Sequence, residues 1–319
     1  MIKKPRIAIT MGDPSGIGPE IIAKSLNKIK GLADFTIIGD AFVLEKSGCD
    51  FRKNKVRLVD LNNVSPGDFC FGKTRASYGR ACVDYLDVCV RMAANNQVDC
   101  IVTSPVSKEA LSMAGFNIVG HSEYFKKAFG VKNIVMMLLN KSLRFALLTR
   151  HIPLKDVSGS INASGLKQTF CLTVESLNKM FSIKTPRLVI CALNPHASDN
   201  GTIGDEENKI IKPFLAAIGK NKGYSVKLLP ADVAIKKMDQ KLFDCALALY
   251  HDQALIPLKL SGDDTGVNIT LGLPLVRTSA LHGVGFDIAG KNLARPDSFI
   301  TAVKQAVSCF KNSKYARNR

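Results

Sequence analysis

The chain is short of acids, of histidines and of paired cysteines, and each shortage narrows what it can be. Against 44 Lys and Arg stand only 27 Asp and Glu, a formal net charge of +17 over 319 residues. That balance suits either a nucleic-acid binder or a protein with an anionic substrate. The bases are scattered, apart from short ends such as KKPR and KNSKYARNR. No RNA-binding aromatic motif, zinc-finger spacing or long basic helix accompanies them. A Lys-rich surface around an anionic-substrate site is therefore the preferred reading, with no specific nucleic-acid partner. The nine cysteines are odd in number and contain no CxxC, which argues against a disulfide framework. Cys100, Cys191 and Cys245 lie inside apolar runs, where a reduced thiol is a small hydrophobe. The start, MIKKPRIAIT, meets the loop signal GDPSG before any secretory apolar region develops. A reducing, cytoplasmic setting is expected. No apolar run approaches the roughly 20 residues that cross a bilayer, so no membrane partner is expected either.

What the chain does have is alternation. Short apolar runs at 6–10, 34–39, 99–104, 134–139, 144–149, 187–193 and 245–250 read as strands covered on both faces. Between them, 19–30 opens on Pro19 and carries apolar residues at helical spacing, as does 78–95. Residues 206–219 also read as helical, but Pro213 argues against an uninterrupted run. Strand–helix alternation predicts an α/β fold with mostly parallel strands. There is no internal repeat and no flexible linker, so a domain boundary is poorly marked and the chain is free to cross between domains more than once.

All five histidines stand at or just beyond the end of an apolar segment: His121, His151, His196, His251 and His282. In open α/β sheets that edge is where ligands bind. A lone histidine is as often structural as functional, but five at segment ends are harder to assign to chance. Neutral imidazoles bind zinc and similar divalent ions, and three of them leave a position open for substrate. The spacing of His151, His196 and His251 matches no local zinc motif. Proton transfer, with Asp252 or another carboxylate orienting an imidazole, is the other chemical use. Ser122 in GHSE, Lys108 in TSPVSK, Lys259, Asn268 in GVNIT and Arg277 in LVRTS lie at similar edges. Lys and Arg beside hydrogen-bond donors suit a phosphate or carboxylate. The loop MGDPSGIGPE carries Gly12, Gly16 and Gly18 between a strand and a helix, which permits close backbone approach to an anion or simply a tight turn. It matches neither GxGxxG nor GxxxxGK[ST].

Taken together, MGDPSGIGPE, TSPVSKEAL, GHSEYF, TRHIPLKDV, LNPHASDNGTIGDEE, YHDQALIPLK and GVNITLGLPLVRTSALHGVGFDIAGK resemble the PdxA family of pyridoxal-phosphate biosynthesis, the 4-hydroxythreonine-4-phosphate dehydrogenases. The motifs run in order from residue 10 to beyond 290. The resemblance implies two α/β/α domains flanking a cleft, in an isocitrate/isopropylmalate-dehydrogenase-like fold. The first domain is expected to take 1–120 plus roughly 273–319. The second, roughly 121–272, would carry most metal and substrate ligands. A homodimer with active sites at the subunit interface is also implied.

The family's metal ligands fall on His151, His196 and His251, and its substrate contacts on His121, Ser122, Lys259, Asn268 and Arg277. The implied cofactors are NAD or NADP and one divalent ion per site: zinc, magnesium or cobalt. The implied reaction oxidises 4-phosphooxy-L-threonine to 2-amino-3-oxo-4-phosphooxybutanoate, which decarboxylates to 3-amino-2-oxopropyl phosphate. Lys108, Asp252 and His282 are unranked candidates for the group that accepts the hydroxyl proton. The chain departs from the family pattern in having Ser122 for the usual Thr, which keeps the hydroxyl, HGVGFDIAGKN for HGTAFDIAGKG, and YHDQA for YHDQG. Relatives acting on threonate or erythronate 4-phosphate share much of this motif set, so a related substrate is the alternative. A metal-dependent hydrolase using the same histidines is a more distant one.

Overall fold

A computed structural model of the chain describes residues 4–117, 120–219, 223–261 and 265–313. It separates into two compact units: Met1–Lys132 with Val267–Ile269 and Leu273–Arg319, and Asn133–Gly266 with Thr270–Gly272. The chain thus passes between units more than once, and the first passage follows residue 132 rather than 120. The helix that opens on His121 belongs to the first unit, because its Phe125 is buried there beside Arg277.

In chain order the first unit holds strand β1 (Arg6–Thr10), helix α1 (Gly18–Ile29), β2 (Asp34–Gly39), α2 (Ala41–Lys46), α3 (Phe51–Asn54) and β3 (Arg57–Asp60). It continues with α4 (Ala76–Ala94), β4 (Cys100–Thr103), α5 (Lys108–Met113) and α6 (His121–Ala128). The second unit follows with β5 (Val135–Leu139), β6 (Arg144–Leu147), α7 (Val157–Ser160), α8 (Ala163–Phe181) and β7 (Arg187–Cys191). After β7 come α9 (Lys212–Ile218), β8 (Ser225–Leu229), α10 (Ala231–Asp239), β9 (Cys245–Ala248) and α11 (His251–Leu260). The strands β10 (Val267–Leu271) and β11 (Val276–Ala280) and the helix α12 (Asp297–Asn312) complete the chain, with β10 divided between the units.

The seven apolar runs all form strands, because residues such as Ile7, Ile9, Ile37, Val102, Val189 and Leu247 are wholly buried. In the first unit the strand order is β3-β2-β1-β4-β11-β10, parallel except for β10 against β11. In the second it is β5-β6-β9-β7-β8, parallel except for β5 against β6. α1 has Pro in its first turn and Lys28 in its last, and buries Ile21, Ile22, Leu26 and Ile29 on one face.

Residues 206–219 are helical and, as Pro213 led one to expect, not one uninterrupted run: a π-helical turn, Glu207–Ile211, is followed by α9. The wider turn leaves Pro213 in the first turn of α9, where its missing N–H costs little. Two local readings need correction. Asn268 and Arg277 lie within β10 and β11 rather than beyond strand ends. His121 opens a helix after Gly120, and no strand precedes it among the described residues; Phe116 and Asn117 are irregular, and Ile118 and Val119 lie outside them.

Candidate active site

The second unit gathers the histidine loops through its strand order. β6, β9 and β7 are adjacent and parallel, so their C-terminal ends share one edge. His151 follows β6, His251 follows β9 and His196 follows β7. Hydrogen bonds continue the pairing past the strands. Leu148 N donates to Ala248 O at 2.9 Å, and Thr149 Oγ1 donates to Leu249 O at 2.6 Å. The buried Gln253 accepts from Leu249 N at 2.7 Å and donates to Ala192 O at 2.8 Å, joining the exits of β9 and β7. These bonds set the three loops side by side.

The His151 and His251 rings lie 5.7 Å apart, centroid to centroid. They line a cavity of about 170 Å³ with Thr149, Arg150, Tyr250 and Asp252. His251 is the first residue of α11, and its Nδ1 lies 2.6 Å from Asp252 Oδ1. That contact orients the ring and leaves Nε2 as the nitrogen that could meet a ligand. The donor set of two close imidazoles fits a divalent ion. His196 does not complete it here: among the described residues no group of three His, Cys, Asp or Glu is set to hold a metal.

His196 begins a run of five left-handed residues, His196–Asn200, with φ between 42° and 68°. Left-handed geometry costs a non-glycine residue roughly 1–2 kcal/mol, so this loop has to be held by its surroundings. Glu207 does much of the holding. Its carboxylate is wholly buried and accepts from Leu193 N and Asn194 N, both at 2.8 Å. Lys259 is exposed in the last turn of α11, about 12 Å along the helix axis from His251 at 1.5 Å per residue.

The first unit builds a different kind of site. Register pairing places Thr10, Thr103, Ser279 and Asn268 in one row across β1, β4, β11 and β10. Arg277, two residues before Ser279, is only 1% exposed. Its guanidinium lies 5.8 Å from the centre of the Phe125 ring and donates to Thr103 Oγ1 at 2.5 Å. Burial pushes its pKa down to about 9, with Glu123 acting in the opposite direction. His121 and Ser122 occupy the first turn of α6, where the positive end of the helix dipole favours an anion. Burial, and then the Arg277 charge, drive the His121 pKa well below its usual value, so this imidazole is neutral. Its buried Nε2 has no hydrogen-bond partner, and neither has Asn268 Oδ1. A buried cation and a helix N-terminus carrying a neutral imidazole are chemistry that suits an anion, while the orphaned Asn268 Oδ1 suits a donor.

The remaining candidates are placed less tellingly. Lys108 is exposed at the start of α5, and His282 Nδ1 lies 3.1 Å from Gly283 O just past β11. The three loop glycines face the protein's own backbone. A Cβ at Gly12, whose φ is +77°, would stand 2.3 Å from Pro105 O, and one at Gly18 would stand 2.2 Å from Met11 O. At Gly16 it would stand 2.9 Å from Val284 O. Internal packing thus accounts for all three. Within this loop Asp13 is fully buried; its Oδ1 accepts from Ser15 N at 2.9 Å and its Oδ2 has no partner. Burial pushes its pKa up to about 6.

Residues 18–306 match the family model described as pyridoxal phosphate biosynthetic protein PdxA. The chain belongs to the PdxA family. A 4-hydroxythreonine-4-phosphate dehydrogenase of Sulfurihydrogenibium sp. (strain YO3AOP1) is 40% identical, over 95% of this chain and 97% of its own. The crystal structure of the Klebsiella pneumoniae 4-hydroxythreonine-4-phosphate dehydrogenase superposes with a TM-score of 0.84 at 32% identity, covering 96% of this chain and 98% of that one. A relative in Oceanobacillus iheyensis, 35% identical over 96% and 98% of the two chains, carries the name D-threonate 4-phosphate dehydrogenase as a provisional assignment. This PdxA-family chain therefore has the α/β fold of dehydrogenases, and its relatives are oxidoreductases that their names tie to phosphorylated four-carbon substrates.

Sequence reasoning missed Gln253, Thr149 and Glu207, which hold the loops rather than carry the chemistry. Gln253 sat in view within YHDQ, but its partner Ala192 is 61 residues away in sequence.

Proposed function

We propose that this protein is an NAD(P)-dependent, divalent-metal-dependent dehydrogenase that oxidises 4-phosphooxy-L-threonine to 2-amino-3-oxo-4-phosphooxybutanoate. That product then loses CO2 to give 3-amino-2-oxopropyl phosphate. The observation that carries the reading is the edge shared by β6, β9 and β7, which brings three histidine loops together and sets two imidazoles 5.7 Å apart. His151, His251 and, from the neighbouring strand end, His196 would hold the ion. When bound, zinc, magnesium or cobalt supplies Lewis acidity that lowers the pKa of the substrate hydroxyl.

The protein's own groups do the rest. Asp252 holds His251 through Nδ1, so that Nε2 would be the atom to meet the ion. Arg277, the α6 N-terminus with Ser122, and neutral His121 hold the phosphate, and Asn268 offers an orphaned carbonyl oxygen to a substrate donor. Lys259 supplies a further cation. Lys108 and His282 remain the candidates to accept the hydroxyl proton, since Asp252 is engaged with His251. A bound NAD(P) would supply the hydride acceptor, and fixed placement of the substrate is what these contacts would contribute. A homodimer in a reducing cytoplasm belongs to the same proposal.

The test is a nicotinamide absorbance assay at defined metal content across 4-phosphooxy-L-threonine, D-threonate 4-phosphate and erythronate 4-phosphate. The proposal expects the highest kcat/KM with 4-phosphooxy-L-threonine. A higher value with threonate 4-phosphate would reassign the substrate, as the name of the Oceanobacillus relative suggests. Phosphate release without any absorbance change would replace the dehydrogenase by a hydrolase. For the homodimer, inactive variants with lesions in different site segments should partly complement when subunits exchange; no recovery after verified exchange would count against shared sites.

A further inference from the structure

The His196 loop is left-handed, exposes His196, Asp199 and Asn200 around a buried Ser198, and is tied down at its base by hydrogen bonds. Glu207 stands at the first position of the π-helical turn, with its carboxylate wholly buried. Its Oε1 accepts from Leu193 N and Asn194 N, and its Oε2 accepts from Asn194 Nδ2 at 2.8 Å. Glu206 receives the same Asn194 amide nitrogen at 2.7 Å. Through its other oxygen Glu206 accepts from Ser158 Oγ in α7, just beyond the His151 segment. The Ser158 hydroxyl and then the Asn194 amide hold the Glu206 carboxyl below its usual pKa, so it remains an acceptor.

One acidic pair thus fastens two segments. Three donors from Leu193 and Asn194, three and two residues before the left-handed run begins, converge on Glu207. Charge-assisted bonds in a buried setting are the strong kind, which is what a run of left-handed non-glycine residues needs to persist. The wide π turn is part of the device: π-bulges recur at functional sites, and this one sits where Glu207 turns toward the loop.

We infer that Glu207, with Asn194 and Glu206, is a positioning residue for the His196 imidazole: the carboxylate sets the loop so that His196 can join His151 and His251 on one ion. The inference rests on the metal reading of the three histidines. Glu207 itself does not ligate, since its oxygens are occupied by Leu193 and Asn194.

The experiment is calorimetric titration of zinc chloride into metal-stripped full-length protein, with no substrate or nucleotide. Glu207→Ala should weaken zinc binding by about tenfold to a hundredfold, the usual effect of removing a group that orients a ligand. Glu207→Gln, which keeps one acceptor oxygen and the side-chain volume, should fold like the parent and fall between the two. In the His196→Ala background, neither Glu207 variant should weaken binding further, whereas in the His151→Ala background the loss should persist. A general loss of stability would lower affinity equally in both backgrounds, and that result would overturn the inference. So would unchanged zinc affinity in folded Glu207→Gln and Glu207→Ala. Absence of zinc binding by the unsubstituted protein would instead remove the metal reading, and the inference with it.

Discussion

The two units prepare their functional groups in opposite ways. In the first, the chemistry is buried: Arg277 lies inside the unit against Phe125 and Thr103, and neutral His121 stacks on the same ring with centroids 6.5 Å apart. In the second it is exposed: His151 and His196 lie at the surface on loops, and their placement depends on hydrogen bonds from Gln253, Thr149 and Glu207. The difference suits the roles proposed for the two sets. A guanidinium that receives a phosphate gains from a low-dielectric, preorganised setting. Imidazoles that receive an ion need freedom to close around it and partners that limit that freedom.

Substitutions at the exposed set should be the most damaging to chemistry. His251→Ala removes one of the two paired imidazoles and should lower kcat/KM by roughly a few hundredfold or more, given that the ion supplies several kcal/mol of charge stabilisation. Steady-state NAD(P)H formation measures it, and a value within tenfold of the parent would break the comparison. In the buried set, Arg277→Lys exchanges a planar fork for a point charge in a fitted cavity. The expected result is a loss in kcat/KM of about thirtyfold or more, seen mainly as raised KM, because a truncated buried charge contact costs about 2–5 kcal/mol. A loss confined to kcat would show that Arg277 does not hold the ground-state anion.

Asp252→Asn tests the middle ground. It should weaken metal affinity by about tenfold, as lost orienting partners do, and leave the KM for the phosphorylated substrate nearly unchanged.

The remaining effect is on stability alone and leaves the chemistry of both sets untouched. Asp13 is raised to about 6 by burial, so its neutral form is favoured in the folded chain. Protonation then contributes stability that is full below about pH 4 and lost as the pH rises through about 6. Asp13→Asn should be more stable than the parent by about 1–3 kcal/mol at pH 8, with the gap closing toward pH 4. Denaturant titrations at the two pH values read this, and a gap that widens at low pH would reverse the assigned sign.

Much of the fold was legible because seven strands are built on apolar runs. The four unread strands explain where that signal fails. β3 (RLVD) is short and half-buried at the end of its strand order, and β8 (SVKLL) is only partly buried. In β10 and β11 the sequences VNITL and VRTSA interleave polar residues, yet β11 is buried at every position. The alternation there marks a polar row inside the protein, not a solvent face, so Asn268 and Arg277 read as loop residues. The histidines were legible as ends of apolar segments, and the motifs YHDQ and LNPHA identified the family. What sequence could not supply was the left-handed His196 loop and the contacts that hold it, since Glu207 reads as an ordinary acid at a helix start.

The most direct test of the whole account is metal dependence in a single preparation. NAD(P) reduction with 4-phosphooxy-L-threonine should disappear when the protein is stripped by a chelator and return on adding zinc, magnesium or cobalt. Undiminished reduction by protein shown to be free of metal would contradict it.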